Sequence, residues 1–218
     1  MSELLSGLNG GNVPALELIY TITLVALLPS IAVMMTSFTR TIIILSFTRT
    51  AMGVQQTPPN TVLVGIAVFL TLFIMRPTLD AINTEAYQPY KEGRITQEEC
   101  IDRAQVHMKE FMLRNTEKVT LDKFVDMSGV AVEEDVTQYP ITVVTPAFMT
   151  SELKRAFTAG FLIYLPFLLI DVVVSTTLMA MGMVMLPPTM VSMPFKLLLF
   201  VTVDGWDLLF SNIVQSFR

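Results

Sequence analysis

The sequence predicts an all-α membrane protein in which two helical hairpins flank a polar, largely helical middle segment. Three observations carry that prediction. The 218 residues are 52% hydrophobic and 15% charged, with a mean hydropathy of +0.59, too apolar for a soluble domain that must keep a charged skin. The charges are also concentrated, since residues 76–145 hold 13 of the 19 acidic and 8 of the 14 basic side chains. What remains is four strong apolar blocks and one shorter one, grouped on either side of that stretch around Pro-Pro turns.

Residues 1–14 contain no Lys or Arg and do not resemble the basic start of a signal peptide. Either the first apolar span is itself the targeting signal, or a leader precedes it. Residues 15–75 form the first hairpin. Its opening block, Ala15 to Met35, is long enough to cross a hydrocarbon core of roughly 30 Å as a helix, with Glu17 at its edge and Pro29 inside it. A shorter block, Thr41 to Phe47, lies between Arg40 and Arg49. Gln55-Gln56-Thr57-Pro58-Pro59-Asn60 then predicts a turn, because the residue before a proline is pushed out of helical conformation. The block Asn60 to Met75 is expected to end at Arg76-Pro77.

Residues 76–150 are the water-facing middle. Apolar residues at helical spacing, among them Ile101, Ala104, Met108, Phe111 and Met112, predict two amphipathic helices between Ile95 and Met127. Thr96 and Glu99 are placed like a capping box, and a break is expected near Asn115. Phe111 and Phe124 are candidates for the core or for a subunit interface. Arg40 and Arg49 put the first short connection on the cytoplasmic side, which places the middle segment on the periplasmic side.

Residues 151–218 form the second hairpin. One block, Ser151 to Met185, opens on Ser-Glu-Leu-Lys-Arg and carries Asp171 deep inside it; the next, Met190 to Phe217, holds Lys196, Asp204 and Asp207. The two hairpins share a pattern. Ala51-Met52-Gly53, four residues and Pro58-Pro59 recur 129 positions later as Ala180-Met181-Gly182, four residues and Pro187-Pro188. An internal repeat, one turn solution used twice, and chance similarity all remain open.

Ionisable residues inside apolar helices are costly and mark interfaces or water-filled paths. Asp171 and Lys196 lie at similar distances on either side of the turn near Met183, so an ion pair across the hairpin, or with a neighbouring subunit, is feasible. A register-fixing role and a proton relay are both open for it. Glu152 is either a helix-start charge or an inter-subunit contact. Met179, Met181, Met183 and Met185 alternate with Leu178, Ala180, Gly182 and Val184, a spacing of two that no single helix face accommodates. Flexible thioether side chains suit a deformable apolar constriction, and equally they pack well between helices.

Several function classes drop out. A net charge of −5 offers nothing to nucleic acid. The single Cys100 rules out an intramolecular disulfide. A copper(I) thioether site lacks partners, with the lone His107 distant in sequence and Cys100 in the polar middle, so no metal or cofactor is expected. There is no nucleophile elbow, zinc-protease motif or phosphate loop, and His107 is expected to be solvated on its amphipathic helix. An intramembrane hydrolase using Asp171 and Asp204 lacks a flanking motif.

Six segments carry a family resemblance: Met34-Met35-Thr36-Ser37-Phe38-Thr39-Arg40, the Gln55–Asn60 turn, Ser151-Glu152-Leu153-Lys154, Met181 to Pro188, Pro194-Phe195-Lys196-Leu197 and Val203-Asp204-Gly205-Trp206. Together they resemble the FliP family of flagellar type III export-gate membrane proteins, whose injectisome counterparts share part of the pattern. The resemblance implies a non-enzymatic, pore-forming subunit of the bacterial inner membrane and flagellar basal body. It implies a ring of several copies, joined by FliQ-like and FliR-like subunits, through which unfolded export substrates pass, with membrane lipid around it. It also implies that many apolar helices pack within the assembly rather than in the bilayer. The family's pore gasket maps onto Met183, Val184 and Met185, with Val184 where three consecutive methionines are common. Glu152, Asp171 and Lys196 resemble functional charged positions of the family. The competing readings are an injectisome type III secretion export-gate subunit and an ion or small-solute transporter coupled through Asp171 and Lys196.

Overall fold

The computed structural model describes residues 22–217 apart from positions 24, 25, 28, 29, 32, 55, 134 and 184. The expectations for residues 1–14, Glu17, Pro29 and Val184 therefore lie outside the described residues. Among the described residues all regular structure is helical. The elements are α1 (Phe38–Ala51), α2 (Asn60–Ile82), a π turn (Asn83–Tyr87), α3 (Gln88–Lys91), α4 (Gln97–Arg114), α5 (Lys118–Ser128), a 3-10 turn (Val136–Gln138), α6 (Ile141–Ala180), α7 (Pro188–Thr202) and α8 (Gly205–Gln215).

α6 is the mast of the molecule. Its 40 residues extend about 60 Å, twice the hydrocarbon thickness of a bilayer, so only part of it fits inside one. Three apolar clusters follow one another along it. The lowest gathers Val143, Val144, Ala147 and Phe148 with Met75 of α2, Phe111 and Met112 of α4 and Leu121 and Val125 of α5. The next joins Ala156 to Ile44, Leu45, Leu63, Ala67, Leu209 and Ile213. The last joins Phe167 to Ala51, Met52 and Phe200. Contacts between α1 and α6 advance together in sequence, from Arg40 with Glu152 through Phe47 with Phe157 to Ala51 with Phe167. The two helices thus run in the same direction, with α2 and α7 returning antiparallel to them.

Two expected boundaries move. α2 does not stop at Arg76-Pro77; it passes through Pro77 and continues via the π turn and α3 to Lys91 as a 32-residue helix. An interior proline costs about 3 kcal/mol, but the buried stripe Leu63, Ala67, Thr71, Met75 and Thr78 runs straight across it, and packing along that stripe holds the helix together. α6 likewise begins at Ile141, ten residues before the apolar block expected at Ser151. The fourth block is not one helix either. α7 and α8 meet at a 63° bend, where Asp204 adopts a left-handed conformation at φ 50°. A side chain at Gly205 would lie 2.4 Å from the Phe200 ring, and Trp206 meets the same ring edge-on at 5.0 Å. The Val203-Asp204-Gly205-Trp206 segment is the sequence of that bend. Among the described residues two helices, or three if the bent pair is one span, are long and apolar enough to cross a membrane.

The middle segment follows its local signals. Thr96 and Glu99 form the capping box reciprocally, α4 ends at Arg114 with Asn115 as its cap, and α5 starts three residues later.

Candidate functional site

The repeated Ala-Met-Gly pattern ends two helices in the same way. α1 ends at Ala51 and α6 at Ala180; Met52 and Met181 cap them, and Gly53 and Gly182 follow at φ 79° and 74°, a left-handed conformation that only glycine enters without strain. The prolines then open the returning helices, with Pro59 preceding α2 and Pro187 preceding α7. The two turns differ in surroundings. Ala51 lies level with Phe167, and α6 runs on to Ala180, so the second turn stands roughly 20 Å beyond the first. Met52 is 3% exposed in the core, whereas its counterpart Met181 is 67% exposed and Met185 96%. Met179, Met183, Leu186 and Met190 are exposed around them. The tip of the second hairpin is thus an apolar surface that no described residue of this chain covers.

Below the tip, Asp171 and Lys196 pair across the hairpin within one chain. Lys196 Nζ donates to Asp171 Oδ2 at 2.6 Å, and Ser192 Oγ donates to Asp171 Oδ1 at 2.6 Å. Lys196 is almost fully enclosed, its side chain 5% exposed. Ser192 was not anticipated, although its place one helical turn before Lys196 puts both on one face of α7. Asp204 lies eight residues past Lys196, about 12 Å along the helix, so the two aspartates of the hydrolase reading are not assembled into one site.

Glu152 is about 28 Å down α6 from Asp171 and belongs to a separate buried junction. It is not a helix-start charge, because α6 begins eleven residues earlier. The guanidinium of Arg40 clasps its carboxylate in two places, Nε donating to Oε2 at 2.9 Å and Nη2 to Oε1. The side chains are 3% and 0% exposed. Nη1 of Arg40 donates to the Ser216 carbonyl at 3.0 Å and hydroxyl at 2.9 Å, and the guanidinium carbon sits 3.7 Å above the Phe217 ring. Arg40 is therefore not a connection charge facing water; of the pair used to orient the chain, Arg49 alone keeps that character, its partners among the described residues being the uncharged Pro58 carbonyl and Asn60. The neighbouring positions complete the junction. Ser151 Oγ accepts the Glu117 amide at 3.1 Å, and Lys154 Nζ donates to Glu117 Oε2 at 2.6 Å. That ammonium holds the Glu117 carboxyl below its ordinary value. The Ser151-Glu152-Leu153-Lys154 segment thus ties α1, α6, the α4–α5 turn and the end of α8 at one level.

Phe111 is a core residue, 6.0 Å from Phe148 and 6.2 Å from Phe217 between ring centroids, and has no face left for a neighbouring subunit. Phe124 is half-buried at the edge of the same cluster. His107 is not solvated: its ring lies between Glu85 and Glu110. Among the described residues no group of His, Cys, Asp and Glu is arranged to hold a metal ion.

Comparisons with known proteins agree in direction. The model of the FliP family matches residues 21–213. The flagellar biosynthetic protein FliP of Bacillus subtilis is 47% identical over 201 residues, 92% of this chain and 91% of that protein. The proteins of the same description from Aquifex aeolicus and Pectobacterium carotovorum are 44% and 45% identical, covering 96% of this chain and 89% and 82% of their own lengths. A match of this extent, spanning both hairpins and the junction that ties them, places the chain in the FliP family.

Proposed function

We propose that this chain is a pore-forming core subunit of the flagellar type III protein export gate in the bacterial inner membrane. Several copies form a ring with FliQ-like and FliR-like subunits, unfolded flagellar substrates pass through its centre, and the middle segment faces the periplasm. Beside family membership, the observation that carries this reading is the methionine turn. There, large apolar side chains are held clear of the fold by a hairpin that overshoots its neighbour by roughly 20 Å. Exposed apolar groups of this kind mark a protein or membrane contact, and in this reading the other copies of the ring cover them. Thioether chains repack at little cost, so turns meeting around an axis close against ions and part for a polypeptide. The role is non-enzymatic; the buried polar pairs fix helix register.

The test replaces Met183 and Met185 with Ala in the assembled gate and measures ion leak and flagellin secretion. Leak rises while the complex still assembles; unchanged sealing would refute the gasket role.

A further inference from the structure

A cleft between α2, α4 and α8 sets two arginines at the end of an apolar track. Arg76 of α2 and Arg114 of α4 line it together with Phe73, Val214 and Phe217, around a space of about 350 Å³, within the range of sites that hold small molecules. No carboxylate is among the described residues that line it. Neither arginine is neutralised in the fold. Arg76 approaches Asp80 of its own helix at 3.7 Å, with side chains 76% and 72% exposed, and an ion pair so exposed is worth little. Arg114, in the last turn of α4, has no ion pair or hydrogen bond among the described residues. Glu110, one turn before it, lies against His107 instead.

The level of the cleft along α2 follows from the sequence. From Asn60 to Met75 the helix carries no ionisable side chain, a run of about 24 Å that comes close to the hydrocarbon thickness of a bilayer. Arg76 is the first charge beyond it, and so stands at the level of the lipid headgroups when that run lies in hydrocarbon. Phe69 and Phe73, both exposed, precede Arg76 at helical spacing and share its face. Gly65, a turn further back, has open space around it. The face is an apolar strip that runs straight into two cations.

The geometry points to a binding site for an anionic phospholipid, its phosphate held between Arg76 and Arg114 and an acyl chain lying along Phe73 and Phe69. Guanidinium groups match phosphate oxygens in geometry as well as charge. A neutral lipid would leave both cations without a counter-charge, and a soluble anion would leave the apolar strip bare. An anionic lipid satisfies both features at once. The inference rests on the membrane placement in the proposed function and not on the methionine turn, so unchanged sealing in the gasket test leaves it standing.

The test is native mass spectrometry of the full-length protein in detergent, offered equal amounts of phosphatidylglycerol and phosphatidylcholine with identical chains. The unsubstituted protein retains phosphatidylglycerol in preference by about thirtyfold, the factor that two interfacial arginines supply. Arg76→Gln and Arg114→Gln, both at exposed positions, each lower the preference about fivefold, and the double variant brings it near parity. Lys91→Gln removes an exposed cation at the far end of the same continuous helix, roughly 22 Å past Arg76, and leaves the preference unchanged. Equal retention of the two lipids by the unsubstituted protein, an unchanged preference in the double variant, or an equal fall in Lys91→Gln overturns the site. Displacement of the lipid by an equimolar amount of glycerol phosphate assigns the cleft to a soluble anion and overturns it too. So does self-association that the double variant abolishes without changing lipid retention, which assigns the cleft to a second copy.

Discussion

Replacing Arg40 by methionine strips a guanidinium from a site where it is 3% exposed and its partner Glu152 0%. At that burial solvent screening gives no relief. The carboxylate loses both donors, from Nε and Nη2, and removing one member of a buried pair costs about 3–5 kcal/mol. The Ser216 contacts and the Phe217 stacking go at the same time, so the end of α8 loosens. Glu152→Met alone leaves the guanidinium unpaired and costs a similar amount. The double variant removes both charges and fills the space with apolar side chains, and such replacements recover most of the loss. It is expected within about 2 kcal/mol of the starting protein, a coupling of several kcal/mol against additivity. Denaturant midpoints in detergent, followed by the fluorescence of the single tryptophan Trp206, read this out, since that ring packs on Phe200 and Phe210 at the start of α8. If the two single costs simply add in the double variant, Arg40 and Glu152 are not an energetic unit and the account of the junction is wrong.

Gly160→Ala puts a methyl group 2.6 Å from Cγ and 3.0 Å from Cβ of Phe47. These are the root of a side chain held edge-on against Phe157 at 5.5 Å, so it cannot swing away; overpacking of this kind costs about 1–3 kcal/mol, visible as a lowered denaturation midpoint, and an unchanged midpoint contradicts the close approach of α1 and α6. The Glu117 carboxyl is lowered chiefly by the hydrogen bond from Lys154, with the charges of Lys154 and Arg155 adding to it against burial. Its stabilisation is complete above the unfolded carboxyl value and is lost as pH falls through the lower folded one. Exchange protection of residues 115–121 should therefore fall in acid below about pH 4.5, and Glu117→Gln should flatten that dependence; an identical acid response in the variant removes Glu117 from the joint.

The legible parts of the sequence are those set by near neighbours. The capping box at Thr96 and Glu99, the break at Asn115 and the two glycine-capped turns depend on chemistry within a few residues, and all are found where expected. The Asp171–Lys196 pair was legible for a related reason: equal arm lengths about a turn bring two positions level without knowledge of any other helix. Pro77 shows the limit, since its local rule ends a helix but a buried stripe from Leu63 to Thr78 carries the chain through. Arg40 and Glu152 are 112 residues apart, and nothing near either one names the other. His107 looked like a solvated residue on a polar helix because its partner Glu85 arrives from the prolonged α2 that the proline rule had excluded. By itself the sequence determined helical class, turn chemistry and family, each a property of short range or of pattern. Only the tertiary structure decided which charges are neutralised in the core and which of the two glycine-capped turns the described residues leave bare, because the first depends on a contact between residues 112 apart and the second on how far α6 runs past α1.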